Sequence, residues 1–255
     1  MEKRIYVGTC GFNISLARYV RLFDALEVNS TFYRFPTERS LKNWQKIFSQ
    51  AQGFFLSLKA YQGLTHPISS PTWRRSSLTR EELQALSERV GCLKLTPETE
   101  EFVSRSMKLI ARLKADFWLF QLPKSCKERA GGIKAFFESL KDKFETTPLL
   151  GLEIRWSDPD LLEELNRTLS VLPVFDPFIN ADLTERFFPR LSTLYLRLHG
   201  GYERGRINYD KSYSDQELLW LRGMLQDSAA ERIFVLFNNL RMYEDAQRFK
   251  DLITL

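Results

Sequence analysis

At 255 residues, 44% of them hydrophobic and 13% aromatic, the chain can bury a large core, which excludes an intrinsically disordered protein. A formal charge of +5 permits a nucleic-acid or phosphate-bearing partner without requiring one. Three widely spaced cysteines, Cys10, Cys92 and Cys126, suggest neither a disulfide framework nor a Cys-pair zinc site, so a reduced, cytoplasmic setting is expected.

Met1-Glu2-Lys3-Arg4 runs directly into strand-like sequence, and no apolar run approaches a membrane span, so a soluble, untargeted protein with no membrane partner is expected. Eight short β-type runs follow in order: Arg4–Gly8, Ala25–Asn29, Phe54–Lys59, Phe117–Leu122, Leu149–Arg155, Val171–Phe175, Leu194–His199 and Arg232–Asn238. Helical patterns fall between most of them, at Ser40–Ser49, Thr99–Leu113, Ile133–Lys143, Asp160–Thr168, Asp215–Leu225 and Tyr243–Leu252. Thr79 with Glu82 has capping-box spacing, and Thr96-Pro97-Glu98 places a cap, a first-turn proline and an acid at a helix start. Strands alternating with helices imply right-handed parallel crossovers. The expected fold is therefore α/β: a single (β/α)8 TIM-barrel-like domain over residues 1–255, with a long insertion after strand 3.

That insertion, Ala60 to Asp116, is too long for one crossover, and its part from Thr65 to Arg75 reads as an excursion over the barrel mouth. A second irregular segment, Gly200 to Tyr213, mixes glycine, arginine and tyrosine after the seventh strand. Barrels often hold phosphate there, so a lid or phosphate-gripping loop is expected.

The strands carry the sharper signal. In Leu194-Tyr195-Leu196-Arg197-Leu198-His199 the leucines share one face, and Tyr195, Arg197 and His199 share the other. The same alternation recurs: Leu26 and Val28 against Glu27 and Asn29, Leu56 and Leu58 against Ser57 and Lys59, Leu152 and Ile154 against Glu153 and Arg155. Gln121, Asp176 and Asn238 close three further strands. The inferred mouth thus holds Glu27, Glu153 and Asp176 against Lys59, Arg155 and Arg197, with Asn29, Gln121, His199 and Asn238 among them. A barrel needing only stability could use aliphatic residues here, because each buried ion costs several kcal/mol before compensation. Near balance of acids and bases fits an internal ion-pair network; their gathering at strand ends fits a site.

These residues belong to recurring blocks: Gly8-Thr9-Cys10-Gly11-Phe12, Glu27-Val28-Asn29-Ser30-Thr31-Phe32-Tyr33, Lys59 with Thr65-His66, Gln121-Leu122-Pro123, Glu153-Ile154-Arg155, Tyr195-Leu196-Arg197-Leu198-His199-Gly200 and Phe237-Asn238-Asn239. Together they resemble the YecE-like family, known as domain-of-unknown-function family 72, from Gly8 to the last helix. The resemblance implies a barrel similar to xylose isomerase-like and endonuclease IV-like barrels, and it supplies no reaction. Three departures stand out: Cys10 and Phe12 replace the family's usual Ser and Trp, Trp156 replaces a His after Glu153-Ile154-Arg155, and Leu240-Arg241-Met242 replaces an acidic, glycine-bearing continuation. Chemistry that needs an imidazole then rests on His66 or His199, the chain's 2 histidines.

Three functional classes remain open. An enzyme acting on a phosphate-bearing substrate, nucleic acid or sugar phosphate, by acid–base hydrolytic or isomerase-type chemistry would use Glu153, His199 and His66 as catalytic groups. Lys59, Arg155 and Arg197 would hold the anion, Asn29, Gln121 and Asn238 would orient hydroxyl groups, Asp176 would contact the ligand, and Tyr33 would stack on a base or sugar. A non-catalytic protein binding a nucleic acid or metabolite, or a structural interaction protein, needs no acid–base pair. No cofactor is expected; a divalent metal on Glu153, Asp176 and His199 is the weaker variant, since Arg155 and Arg197 would repel a cation.

Overall fold

A computed structural model describes residues 3–254 of the chain; Met1 and Glu2, on which the reading of the N-terminus partly rests, lie outside them. The strands are β1 (Arg4–Cys10), β2 (Ala25–Val28), β3 (Phe55–Lys59), β4 (Phe117–Leu122), β5 (Leu149–Ile154), β6 (Val171–Phe175), β7 (Thr193–Leu198), β8 (Gly201–Glu203), β9 (Arg206–Asn208) and β10 (Arg232–Phe237). Eight of them close a barrel in the order β1-β10-β7-β6-β5-β4-β3-β2, every pairing parallel. The expected (β/α)8 fold is borne out. β4 and β6 end where the sequence pattern ends them, and the other barrel strands differ by one or two residues.

Side-chain alternation builds two layers. Leu26, Val28, Leu56, Leu58, Leu194, Leu196 and Leu198 face out into the apolar layer beneath the helices. The inner face holds an aromatic plug: Phe55 stacks on Phe234 at 3.7 Å between ring centroids, and Phe117 stacks on Tyr195 at 4.1 Å. Gly151 makes room for it, because a Cβ there would meet the Phe117 ring at 2.2 Å. The plug seals one end of the barrel and confines the polar inner residues to the carboxyl ends of the strands.

The capping boxes form at Thr79/Glu82 and at Thr96, the latter with Thr99 rather than an acid as the reciprocal partner. The insertion after β3 folds into a short helix (Gln62–Thr65), a 3-10 turn (Pro71–Arg75) and two helices (Arg80–Ala85 and Pro97–Leu113). Trp73 pins its excursion, buried and donating from Nε1 to the Pro67 carbonyl at 3.0 Å.

One expectation is corrected. Cys92 and Cys126, 34 residues apart, form a disulfide with Cα atoms 5.3 Å apart. The insertion folds back on itself: the amides of Gly91, Cys92 and Leu93 donate to the carbonyls of Gly63, Thr65 and Leu64, which brings Cys92 against the turn that follows β4. Linear spacing hides that proximity. All three residues have positive φ, of 81°, 51° and 56°, a conformation costly for Cys and Leu and held by the surrounding bonds. The pair also removes the argument from unpaired cysteines to a reducing compartment; Cys10 alone is free, and buried. No helix among the described residues is long and apolar enough to cross a membrane.

Candidate functional site

Arg197, from β7, is the centre of the mouth. It is fully buried, and it donates from Nε to Glu27 Oε2 at 3.0 Å, from Nη2 to Glu27 Oε1 at 2.8 Å, and from Nη1 to Glu153. β2 and β5 deliver those two carboxylates at the ends where they face inward. The Tyr195 hydroxyl donates to Glu27 at 3.0 Å and lies 2.9 Å from Ser57 Oγ, tying the charged layer to the plug below. Burial opposes the Arg197 charge, and Glu27 and Glu153 overcome it, holding the guanidinium protonated.

Glu153 also pairs with Arg155, Oε1 to Nη2 at 2.9 Å. Burial pushes its carboxyl up, but Arg155 and Arg197, followed by His199 and Lys59, outweigh that and hold it well below the usual range. His199 is fully buried at the end of β7. Arg155 Nη2 lies 3.0 Å from its Nε2 and can only donate, so Nε2 accepts and Nδ1 carries the proton, which it donates to Asp176 at 3.2 Å. The His199 backbone amide donates to the same Asp176 oxygen at 2.7 Å, fixing the ring. Burial first, then Arg155, lowers the His199 pKa and keeps the imidazole neutral.

Lys59 differs from both arginines. At the end of β3, its Nζ donates to Gln121 Oε1 at 3.2 Å and lies 4.4 Å from the Phe32 ring centroid. No carboxylate of the described residues pairs with it. Burial first, and then Arg197, lowers its pKa from 10.5 to about 8.

The remaining expected residues flank this cluster. His66 is buried, its ring edge-on to Phe32 at 4.8 Å and its Nδ1 2.8 Å from the Thr65 hydroxyl. Burial, followed by Lys59 and Arg155, lowers its pKa to about 3. Asn29 donates to the Cys10 carbonyl at 2.9 Å, and its buried Oδ1 has no partner among the described residues. Tyr33 lies with Asn29, Phe12, Arg34 and Arg75 around a cavity of about 390 Å³. The Arg75 guanidinium sits 4.1 Å from the Tyr33 ring centroid and donates to its hydroxyl at 2.9 Å. Asn238 stands beside the end of β7, its amide donating to the Leu198 carbonyl at 2.7 Å.

The structure thus gathers Glu153, Arg155, Asp176, Arg197 and His199 into one bonded network, with Lys59 and Gln121 beside it and His66, Asn29, Tyr33 and Asn238 around it. Among the described residues no group of three or more His, Cys, Asp or Glu side chains is arranged to hold a metal ion. Of the three side chains weighed for that role, His199 and Asp176 bind each other and Glu153 is held between Arg155 and Arg197.

Sequence reasoning passed over several residues that hold the site. Phe32 supplies the face under Lys59, and the Thr31 hydroxyl lies 2.7 Å from both the Val28 and Lys59 carbonyls, tying β2 to β3; both stand in a block that was legible only as a resemblance. Asp245, fully buried in the last helix, accepts from Ser212 at 2.6 Å and Asn239 at 2.6 Å and pairs with Arg248 at 3.0 Å. That anchors the Gly200–Tyr213 segment, which forms the β8–β9 hairpin and sets Tyr209 against His199 at 6.0 Å between ring centroids. Trp156, in place of the family's histidine, is buried with its indole N–H unpartnered among the described residues.

The comparisons agree with this architecture. A DUF72 family protein of Enterococcus faecalis V583 is similar over 100% of this chain and 99% of its own, with 18% identity and a TM-score of 0.65. A D-tagatose 3-epimerase-like protein is similar over 94% of this chain and 91% of its own (13% identity, TM-score 0.55). Endonuclease IV from Thermus thermophilus is similar over 98% of this chain and 97% of its own (11% identity, TM-score 0.52). These likenesses show the fold. No curated protein matches the chain. The family model described as "Protein of unknown function DUF72" matches residues 2–255, and the chain belongs to that family.

Proposed function

We propose that the barrel mouth binds a phosphate-bearing ligand, with Lys59 and Arg155 receiving the phosphate and the cavity at Asn29, Tyr33 and Arg75 receiving the sugar or base attached to it. The observation that carries this reading is the unpaired ammonium of Lys59. Arg197 is neutralised by two carboxylates, whereas Lys59 faces a neutral amide and an aromatic ring at the same mouth. A half-buried cation with no carboxylate beside it is costly, and a bound anion would supply the counterion. Arg155 retains 25% side-chain exposure and can turn a donor toward the same anion. A cavity of about 390 Å³ suits a monosaccharide or nucleoside. Arg197 acts in this reading as the internal counter-charge that positions Glu153 and, through Arg155, the phosphate donors.

The fold is shared with one protein named an endonuclease and another named D-tagatose 3-epimerase-like, which supports nucleic acids and sugars as the two ligand sources. A thermal-shift series with inorganic phosphate, ribose 5-phosphate, free ribose, a nucleoside monophosphate and short oligonucleotides separates them. A ligand at one hundred times its dissociation constant stabilises the fold by about 2.7 kcal/mol. Stabilisation by sugar phosphate but not by free ribose, lost in Lys59→Gln, supports the proposal. Equal response to the phosphate-free sugar sinks it, and response to oligonucleotides alone moves the ligand to nucleic acid.

Acid–base roles for Glu153, His199 and His66 enter as a second step. Each of the three is held in one protonation state, Glu153 ionised and both histidines neutral. Their part is to shape the field around the ligand, and turnover would need a group poised nearer neutrality.

A further inference from the structure

We propose that Lys59 condenses with a carbonyl: its Nζ forms a reversible imine with an aldehyde or ketone carried by the ligand in the mouth. The inference rests on the phosphate-binding reading only for how that ligand is held.

Three observations carry it. The Nζ stands at the carboxyl end of a barrel strand, where barrel chemistry is sited, next to a neutral acceptor and over the Phe32 face. Charged groups surround it from separate strands: Arg197 from β7, Glu27 from β2, and Glu153 and Arg155 at the end of β5, with Cys10 of β1 and His66 feeling its field. Lastly, Glu27 and Glu153 are taken up by Arg197 and Arg155, and Asp176 by His199, so none of the three carboxylates of the mouth pairs with Lys59 to hold it in its charged form.

Desolvation and neighbouring cations are what make a lysine amine nucleophilic. With its pKa lowered to about 8, about a quarter of Lys59 is free amine at pH 7.5, against about 0.1% for an ordinary lysine.

In the step itself, the Nζ lone pair adds to the carbonyl carbon and the C=O π electrons move to oxygen. Two protons pass from nitrogen to that oxygen through solvent, the C–O bond breaks, and one water leaves. Amine and carbonyl thus give imine and water with no change of oxidation state. Protonated, the imine keeps one N–H, which can donate to Gln121 as the lysine does.

Glyceraldehyde and glyceraldehyde 3-phosphate, each supplied with cyanoborohydride at pH 7.5, test the inference by peptide mapping of the reduced adducts. The hydride reduces the imine carbon and fixes the adduct. Lys59 is expected to be labelled at least tenfold faster than any other lysine, with half-maximal labelling near pH 8, and labelling should be slowed by inorganic phosphate. Lys59→Arg, checked for folding by circular dichroism, removes the fast site. Adducts spread over surface lysines with Lys59 unmodified overturn the proposal, even where phosphate stabilises the wild-type fold. Fast labelling by glyceraldehyde that phosphate leaves unchanged sustains the lysine and instead refutes the phosphate site.

Discussion

Replacing Arg197 by Met removes the centre of the charge network while leaving most of its volume. Glu27, fully buried, loses both guanidinium bonds and keeps the Tyr195 hydroxyl, whereas Glu153 keeps Arg155 at 2.9 Å. The cost therefore falls on Glu27. Stranding one buried charge of a pair costs about 3–5 kcal/mol, which for a domain of this size lowers the melting temperature by roughly 8–15 °C. A double-mutant cycle with Glu27→Gln isolates the interaction, since neutralising the stranded carboxylate should return a large share of the loss. Urea unfolding of the four proteins is the assay, with a coupling of about 2 kcal/mol or more expected. Additive effects, or a loss in Arg197→Met below about 1 kcal/mol, would show that Arg197 does not neutralise Glu27.

Lys59→Met should stabilise the ligand-free protein at neutral pH. The fold lowers the Lys59 pKa from 10.5 to about 8, so the unfolded chain binds more protons between those values and wild-type stability rises with pH across that window, by about 3 kcal/mol in all. Parallel stability–pH curves for the two proteins would contradict this. His66, neutral in the fold with a pKa lowered from 6.5 to about 3, contributes stability above pH 6.5 that is lost as pH falls toward 3; His66→Gln should flatten the acid limb of the stability curve by one proton. An unchanged limb would refute the burial of a neutral imidazole there. Closing a loop over the 34-residue separation of Cys92 and Cys126 should contribute about 4 kcal/mol, so Cys92→Ser/Cys126→Ser should melt roughly 8–15 °C lower than the oxidised protein. Equal melting temperatures would show that the bridge adds nothing.

The barrel was legible because its strands announce themselves twice, by length and by alternation. Leu194, Leu196 and Leu198 against Tyr195, Arg197 and His199 states both the strand and its two faces, and the structure keeps that division. Which charges meet inside was not legible. The partner of Arg197 is Glu27, 170 positions away, and closure of the barrel, not spacing, brings them together. The disulfide escaped for the same reason: the fold-back that joins Cys92 to Cys126 rests on backbone bonds to Gly63, Leu64 and Thr65, which no side-chain pattern records. The short helices Leu16–Leu22 and Ala181–Phe187 also went unmarked, since seven residues are too few to establish a helical period.

Phosphate capture by Lys59 is tested most directly by titration calorimetry of inorganic phosphate into wild-type protein and Lys59→Gln, each at 50 and 200 mM salt. Binding to the wild type that weakens with salt and falls at least tenfold in the variant is the expected result. Equal affinity in the two proteins, or no binding to either, would contradict the assignment of the mouth as a phosphate site.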